Sequence, residues 1–254
     1  MRDFSFNGVS LSSFGGRIIE APRHTIATRD KTFTKIYGQS GDELIDNGSY
    51  NNVTFSVEIG FFTFVSQQTA QQLASAIINW LAPLQDGYYV YRDSENTGYF
   101  TRAALVNFDQ VEQEMRTFLK ATLTFNRVPF WYSDSGQTSV TFYNGASNTL
   151  NNPEIYDSEP IYKFNQWRPY TDKVNISVNS TAVSFTTSAH PTTYYIDNVA
   201  KQFYKISAGS KNYLGIIQLP NLRPGSNTIS FDLNDGSLSA GSFNLEIIPN
   251  WRRL

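Results

Sequence analysis

One stretch in the N-terminal half has the periodicity of an amphipathic α-helix. Within residues 66–84, apolar side chains recur every three or four positions, which places them on one stripe of a helix. Ser66 can cap the first backbone amides, and Pro83 marks the end because it disfavours helical backbone at residue 82. The positions of the predicted stripe are Ala70, Leu73, Ile77, Trp80 or Leu81, and Leu84.

The segments around this helix alternate apolar and polar residues with the period of two that is typical of half-buried β-strands. Residues 52–65 and 118–130 show the alternation, and residues 88–92 and 99–106 form a predicted hairpin. The positions that share one face of 118–130 are Leu119, Ala121, Leu123 and Phe125. We expect the helix to lie across one face of an antiparallel sheet.

Two polar segments read as loops. Residues 38–52 are rich in glycine, asparagine and acidic residues, and residues 29–31 are Arg-Asp-Lys. A loop as long as 38–52 within a compact domain is often functional or becomes ordered on assembly. A plain solvated connection is the alternative.

After residue 134 the chain reads as short strands, separated by turn signals at intervals of about 8–12 residues. This spacing favours an antiparallel sandwich or jelly roll. The predicted strands are 139–143, 161–164, 174–178, 183–187, 193–196, 202–206, 215–219, 228–233 and 243–248. The predicted fold class is mainly β, α+β rather than all-β, with two domains at 1–134 and 135–254.

Composition narrows the possible functions. The net charge is −2, and no basic run suits tight binding to nucleic acid. The absence of cysteine excludes disulfides. No apolar run approaches the ~20 residues needed to span a bilayer, and the N-terminus lacks the plan of a signal peptide. We therefore expect a protein made in a reducing cytoplasm and not inserted in a membrane.

Candidate chemistry is sparse. His24 and His190 are the only histidines, and neither has a spacing that would build a metal site. Glu112 and Glu114 share a face if their segment is extended, and three further carboxylates lie within 154–159, but both sets read as solvated connections. We predict no catalytic residue, no metal and no cofactor.

Aromatic side chains leave one alternative open. Rings in a β-sandwich can stack against the faces of sugars, but a sandwich also needs many rings to fill its core. The candidate platform consists of Trp167, Tyr194, Tyr195, Phe203 and Tyr204. A carbohydrate-binding module is therefore the alternative function, with a glycan hydrolase third.

A resemblance to a known family gives the leading interpretation. Residues 219–231 read LPNLRPGSNTISF, and the chain ends in IIPNWRRL. Near the N-terminus the sequence DFSFNG at 3–8 is followed by EAPR at 20–23 and by Arg29-Asp30. Together and in this order, these segments resemble the distal tail proteins of siphophages, most closely that of a Bacillus-infecting siphophage.

The resemblance implies a structural tail-tip protein and no enzyme. It implies a homo-hexameric ring, single or stacked, of tail-tube-like N-terminal domains with galectin-like C-terminal sandwiches outside. The implied partners are the tail tube or tail terminal ring on one side and a tail-associated fibre or tail-tip protein on the other. The protein would be assembled in the host bacterial cytoplasm and would be part of the virion at the tail tip.

A ring of this kind would let DNA pass through its channel without specific binding. Duplex DNA carries about one negative charge per 1.7 Å, so an acidic or neutral wall suits this passage. We hypothesise that Asp42, Glu43 and Asp46 face the channel or an adjoining ring.

Overall fold

The chain folds into two compact units, the N-terminal unit (Met1–Trp131 with Leu254) and the C-terminal unit (Tyr132–Arg253). Each unit has its own hydrophobic core. Mainly β structure with one α-helix is found among the described residues, which confirms the predicted fold class. The computed structural model describes residues 2–20, 22, 25–62, 69–108, 112–115, 118–143, 145, 147–166, 173–187, 192–217, 219–233 and 244–254.

The N-terminal unit contains a large antiparallel sheet, a separate two-stranded sheet and the helix. Its strands are β1 (Phe4–Phe6), β2 (Val9–Ser10), β3 (Gly16–Ile18), β4 (Arg29–Lys35), β5 (Asp42–Tyr50), β6 (Val53–Phe62), β7 (Tyr89–Asp93), β8 (Tyr99–Phe108), β9 (Glu112–Met115) and β10 (Phe118–Arg127). The large sheet has the order β2-β1-β7-β8-β10-β6-β3, and β9 pairs with β10. Strands β4 and β5 pair with each other in the two-stranded sheet.

Helix α1 (Ala70–Leu81) covers one face of the large sheet. The ring of Trp80 stacks on Phe4 at 5.9 Å and on Phe14 at 5.2 Å, and its indole N–H donates to the carbonyl of Phe6 at 3.4 Å. The predicted apolar stripe is confirmed, because four of its side chains are buried in the helix and Leu84 is buried just after it. Opposite the helix, alternate residues of β6 and β10 point into the same core.

The ends of α1 differ from the prediction in two details. Ser66 lies outside the described residues, and the N-cap is Thr69, which forms a capping box with Gln72. Ala82 keeps helical backbone, with φ −58° and ψ −41°. The prediction that Pro83 moves residue 82 out of the helical region is therefore wrong. The chain tightens there into a 3-10 turn that tolerates Pro83, because the first residues of a helical turn need no N–H donor.

The two predicted loops of the N-terminal half are wrong. Residues 29–31 belong to strand β4, and most of 38–52 forms strand β5. The polar, glycine-rich composition concealed a cross-strand register in which Phe33 faces Leu44. The turn-favouring pair Asn47-Gly48 also lies inside β5, where Gly48 has positive φ, so this stretch resembled a loop.

The C-terminal unit is the β-sandwich that the spacing predicted. Its strands, with β11 at the boundary, are β11 (Trp131–Ser133), β12 (Val140–Tyr143), β13 (Ser147–Asn152), β14 (Ile161–Gln166), β15 (Lys173–Val178), β16 (Thr181–Thr186), β17 (Thr192–Asp197), β18 (Gln202–Ser207), β19 (Ser210–Gly215), β20 (Gly225–Leu233), β21 (Asn244–Ile248) and β22 (Arg252–Arg253). One sheet has the order β12-β21-β14-β17-β18-β19, and the other β13-β20-β15-β16. Contacts such as Phe164–Phe231, at 5.6 Å between ring centroids, join the two sheets in one core.

Two edge strands of the sandwich escaped prediction. Strand β13 is polar, and only Leu150 and Asn152 of its side chains are buried. Residues 215–219 were predicted as a strand, but the strand lies earlier, at β19. Ala208 and Gly209, both with positive φ, form a two-residue turn that reverses the chain directly after β18. The polar residues that follow therefore pair with β18 as strand β19.

The motif that carries the family resemblance, residues 219–231, contains a buried asparagine, Asn227. Its side chain forms hydrogen bonds to several neighbouring groups, and this set of bonds is here called the Asn227 staple. The Asn227 side chain is completely buried, and its Oδ1 accepts from the Arg223 N–H at 3.0 Å and from Asn179 Nδ2 at 2.8 Å. Its Nδ2 donates to the carbonyls of Arg223 and Gly225 at 2.8 and 3.0 Å. A buried side-chain amide needs partners for all of its polar atoms, and here the backbone of residues 223–225 supplies several of them. These hydrogen bonds therefore hold the turn that leads into β20.

Replacing this amide will destabilise the C-terminal unit. We expect Asn227→Leu to lower the free energy of unfolding by about 2–4 kcal/mol, because several buried backbone and side-chain groups lose their partner. Urea unfolding of the variant and of the wild type measures the difference. Asn148→Leu, at an exposed position of β13, is the control and should change stability little. Equal unfolding free energies of the two variants would show that the hydrogen bonds of Asn227 do not stabilise the C-terminal unit.

Candidate functional site

The hairpin of β4 and β5, residues 29–50 and here called the arm, is a highly exposed part of the N-terminal unit. Almost every residue of both strands is exposed. Phe33 is 66% exposed, and Tyr37 near the tip is fully exposed. Further exposed apolar side chains of the arm are Ile36, Leu44 and Ile45. Apolar surface of this extent on one projecting element typically marks an interaction site.

The cross-strand register assigns each residue of the arm to one of two broad faces. Lys31 lies opposite Asp46, Phe33 opposite Leu44, and Lys35 opposite Asp42, so these pairs share the first face. The second face carries Thr32 opposite Ile45 and Thr34 opposite Glu43. On both faces, apolar residues alternate with charged or hydroxyl-bearing ones.

The three acidic residues singled out from the sequence are therefore divided. Asp42 and Asp46 lie on the first face of the arm, each opposite a lysine, whereas Glu43 lies on the second face. No more than two of the three carboxylates can thus point from the same broad face. Their orientation towards a channel stays a prediction.

Asp46 fixes the base of the arm. Its Oδ2 accepts from Arg29 Nη2 at 2.7 Å, and its Oδ1 accepts from the Gly48 N–H at 2.9 Å. The Gly48 hydrogen bond, followed by the Arg29 hydrogen bonds, lowers the pKa of Asp46 below its ordinary value. The Arg29 guanidinium also lies 4.9 Å from the centroid of the Tyr50 ring. Both strands are thereby held together where they leave the unit.

A buried arginine attaches the segment before the arm to the core. Arg127 is 1% exposed and donates to the carbonyls of Val128, Pro129 and Thr25 at 2.8–3.0 Å. Its guanidinium lies 5.4 Å from the centroid of the Trp131 ring. Burial lowers the pKa of Arg127 to about 10, so the group stays charged at neutral pH. No sequence pattern predicts this clamp, because Thr25 and Arg127 are 102 positions apart along the chain.

The second candidate surface is the face of the large sheet that helix α1 leaves uncovered, here called the open face. Its side chains come from alternate positions of β6 and β10: Thr54, Ser56, Glu58, Lys120, Thr122, Thr124 and Asn126. The hydroxyls of Ser56 and Thr124 are 3.0 Å apart, and Lys120 Nζ lies 3.0 Å from Glu58 Oε2. Hydroxyls and amides dominate these two strands of the open face, and Lys120 and Glu58 neutralise each other. Arg17 of β3 and Arg102 of β8 project from the same face.

Of the carboxylates and histidines considered for chemistry, the structure describes only the side chains within 154–159. Glu159 Oε2 accepts from Arg252 Nη1 at 2.6 Å, which ties it into a structural ion pair. His24 and His190 lie outside the described residues, as do the side chains of Glu112 and Glu114. Within the described part of the chain there is no cluster of three or more histidine, cysteine or acidic side chains that could hold a metal. That part also contains no helix long and apolar enough to cross a membrane.

The candidate sugar platform is divided between core and surface. Tyr194 and Phe203 are buried in the sandwich core, whereas Tyr195 and Tyr204 lie on its outer face, and Trp167 is outside the described residues. The outer pair stacks at 4.9 Å with an interplanar angle of 11°, and Lys211 Nζ lies 3.8 Å from the Tyr204 centroid. At least one face of each of these two rings is thus in contact with a protein group.

The fold of the chain is similar to that of a hub protein from a phage adsorption apparatus. One similar solved structure is the SPP1 Dit (gp 19.1) protein, described as a paradigm of the hub adsorption apparatus in phages that infect Gram-positive bacteria. The superposition covers 97% of each chain with a TM-score of 0.65 and 15% sequence identity. At the level of sequence, no protein-family model and no curated protein matches the chain.

Removing the Arg127 clamp will loosen the base of the arm. Arg127→Met keeps the apolar stem but leaves three backbone carbonyls without their donor, so we expect a loss of about 2–4 kcal/mol in unfolding free energy. Hydrogen exchange in residues 25–50 should accelerate in the variant. Arg102→Met, at an exposed position of β8, is the matched control. Unchanged exchange in Arg127→Met would show that the clamp does not hold the arm.

The titration of Asp46 tests the base of the arm separately. A carboxyl whose pKa is lowered on folding stabilises the fold above its ordinary pKa, and this stabilisation disappears as pH falls through the lowered value. We expect Arg29→Met to raise the pKa of Asp46 only part of the way to its ordinary value, because the Gly48 N–H remains. NMR titration of the side-chain carboxyl measures the shift, and Arg29→Lys should restore part of it. No change in Arg29→Met would contradict the contact.

Proposed function

We propose that the protein is a structural hub of a phage tail tip, in which copies assemble into a hexameric ring around a channel for DNA. The observation that carries the proposal is the arm, a two-stranded sheet with exposed apolar side chains. The similarity in fold to the SPP1 hub adsorption protein supports it. The proposal assigns the protein no catalytic activity.

The edges of the sheets favour assembly through the arm. The large sheet ends in strands β2 and β3, of two and three residues, and short edge strands resist uncontrolled pairing. The strands of the arm are seven and nine residues long, and neither has a second partner strand among the described residues. A second copy of the chain can cover both the apolar side chains and the free backbone groups. A contact between two different surfaces repeats from copy to copy and closes into a ring when the rotation permits.

The open face has the chemistry that a channel wall needs. Phosphates bind tightly to clusters of unpaired lysine and arginine, whereas the β6 and β10 positions of this face present hydroxyls, amides and the Lys120–Glu58 ion pair. Helix α1 covers the opposite face, so the open face is the side of the sheet that remains free to line a passage. In the proposed ring, DNA slides past this wall without specific binding.

The proposed partners follow from this placement. The ring would contact the tail tube or tail terminal ring on one side and a tail-associated fibre or tail-tip protein on the other. The C-terminal unit would lie on the outside as a galectin-like sandwich. The proposed location is the virion tail tip, after synthesis in the host cytoplasm.

The mass of the protein in solution tests the proposal. We expect a particle with the mass of a hexamer by light scattering, and no binding to cell-wall glycans on an array. Phe33→Asp with Leu44→Asp puts two charges on the apolar pair of the arm and should shift the particle to the monomer. The expected cost of burying such charges unpaired exceeds what a surface contact supplies.

An equally simple control uses an exposed apolar residue elsewhere. Ile155 is 78% exposed in the C-terminal unit, and Ile155→Asp should leave the hexamer intact. A wild-type chain that stays monomeric at high concentration would overturn the proposal. A monomer that binds glycans would instead support the carbohydrate-binding alternative.

A further inference from the structure

A surface cavity of about 340 Å³ lies at the end of the large sheet where Phe62 pairs with Phe118. It borders the edge strand β3. The residues that line it are Arg2, Arg17, Ile18, Ile19, Phe62 and Phe118. Its wall therefore combines two isoleucines and two phenylalanine rings with two cations.

The two cations of the cavity differ in their partners. Arg2 Nε lies 3.1 Å from Glu95 Oε1, so its charge is balanced within the unit. The Arg17 guanidinium lies 4.2 Å from the centroid of the Phe62 ring, and no carboxylate of the described residues pairs with it. The cavity thus offers an apolar recess beside one positive charge that no described carboxylate of its unit neutralises.

The second face of the arm has the complementary chemistry. Glu43 and Ile45 are two positions apart on β5, so both side chains project from this face. Ile45 is 45% exposed, and no cation of the described residues pairs with Glu43. This face therefore presents an aliphatic side chain beside a free negative charge, at the spacing of neighbouring side chains on one strand.

The positions of cavity and arm point to contact between different copies. The arm leaves the unit beside Val53, at the start of β6, whereas the cavity lies at Phe62, where β6 ends. Ten residues of strand separate these two points by about 30 Å. A surface and its complement at opposite ends of one strand join copies head to tail, which is the arrangement that can close a ring.

We infer that the cavity receives the arm of a neighbouring copy, with Ile45 in the apolar recess and Glu43 paired to Arg17. The inference rests on the proposed ring and specifies its interface. Burial beside the phenylalanine rings strengthens the ion pair by excluding water, and the pair fixes the register of the arm. It gives Glu43 an interface role, in place of the channel-facing role predicted from the sequence.

A charge swap tests the pairing in the full-length chain. Arg17→Glu and Glu43→Arg each place like charges together, so we expect each variant to raise the dissociation constant of the ring by about tenfold or more. The double variant, with both substitutions, restores opposite charges and should recover the hexamer. Analytical ultracentrifugation over a dilution series measures all three, and Lys173→Glu, exposed in the C-terminal unit, is the control.

Each outcome decides between the inferences. Weakened single variants with a recovered double variant support the pairing, since a misfolded Arg17→Glu chain could not be rescued by a change at residue 43. Hexamers from both single variants would overturn the pairing and leave the proposed ring standing, and slow genome ejection by Glu43→Arg particles would then favour the channel role. A double variant that fails to recover also overturns the pairing. A monomeric wild type overturns ring and pairing together.

Discussion

The aromatic core beneath helix α1 is the contact from which the arrangement of the N-terminal unit follows. Trp80 stacks on Phe4, and Phe4 in turn stacks on Tyr91 at 5.5 Å and meets Phe125 edge-on at 6.0 Å. Rings from the helix, from the first strand and from the centre of the sheet thus interlock. Eight of the 21 buried residues of this core are aromatic, and each large ring buries more apolar area than an aliphatic side chain. Once they face the helix, the other side of every strand must face outward.

This asymmetry explains why two surfaces of the unit, the open face and the arm, do not pack against its hydrophobic core. Strand side chains alternate strictly, so the positions between the buried ones form the open face, and their hydroxyls and amides bond along the sheet. The arm has no helix above it and no third strand beside it among the described residues. The described residues of the unit place no second layer on either surface, and copies of the same chain are the simplest source of one.

The elements that contribute to a hydrophobic core could be predicted from the sequence, whereas the exposed strands could not. Period-two and helical patterns identified β6, β10 and α1, because burying one face imposes a periodicity on the residues. The arm, β13 and β19 are exposed on their own unit, so no such pressure shapes them, and their composition resembled that of loops. The Arg127 clamp and the Asn227 staple depend on backbone carbonyls, which carry no sequence signal.

The candidate site was predictable only in its location. The acidic residues of 38–52 were identified from the sequence as candidates. The face of the arm from which each one points depends on the pairing of β5 with β4, and a register shift of one residue would exchange the two faces. The register is fixed by contacts such as Arg29 with Asp46, which lie 17 positions apart. The motif that suggested the family proved to be a structural turn around Asn227, so it speaks for the fold rather than for a binding surface.

The chemistry of the arm suits the proposed ring, because free copies of the chain must stay soluble before such a ring closes. On its first face the apolar pair Phe33 and Leu44 is flanked by two pairs of opposite charge, which keep the free chain hydrated and disfavour out-of-register contacts. Each such contact is modest, because surface charges pair weakly and the apolar area is small. In a closed ring, however, every copy is held by two neighbours at once, so the loss of one contact leaves the copy tethered. Weak and selective contacts repeated around a ring therefore give a particle that assembles without misassembly and then dissociates slowly.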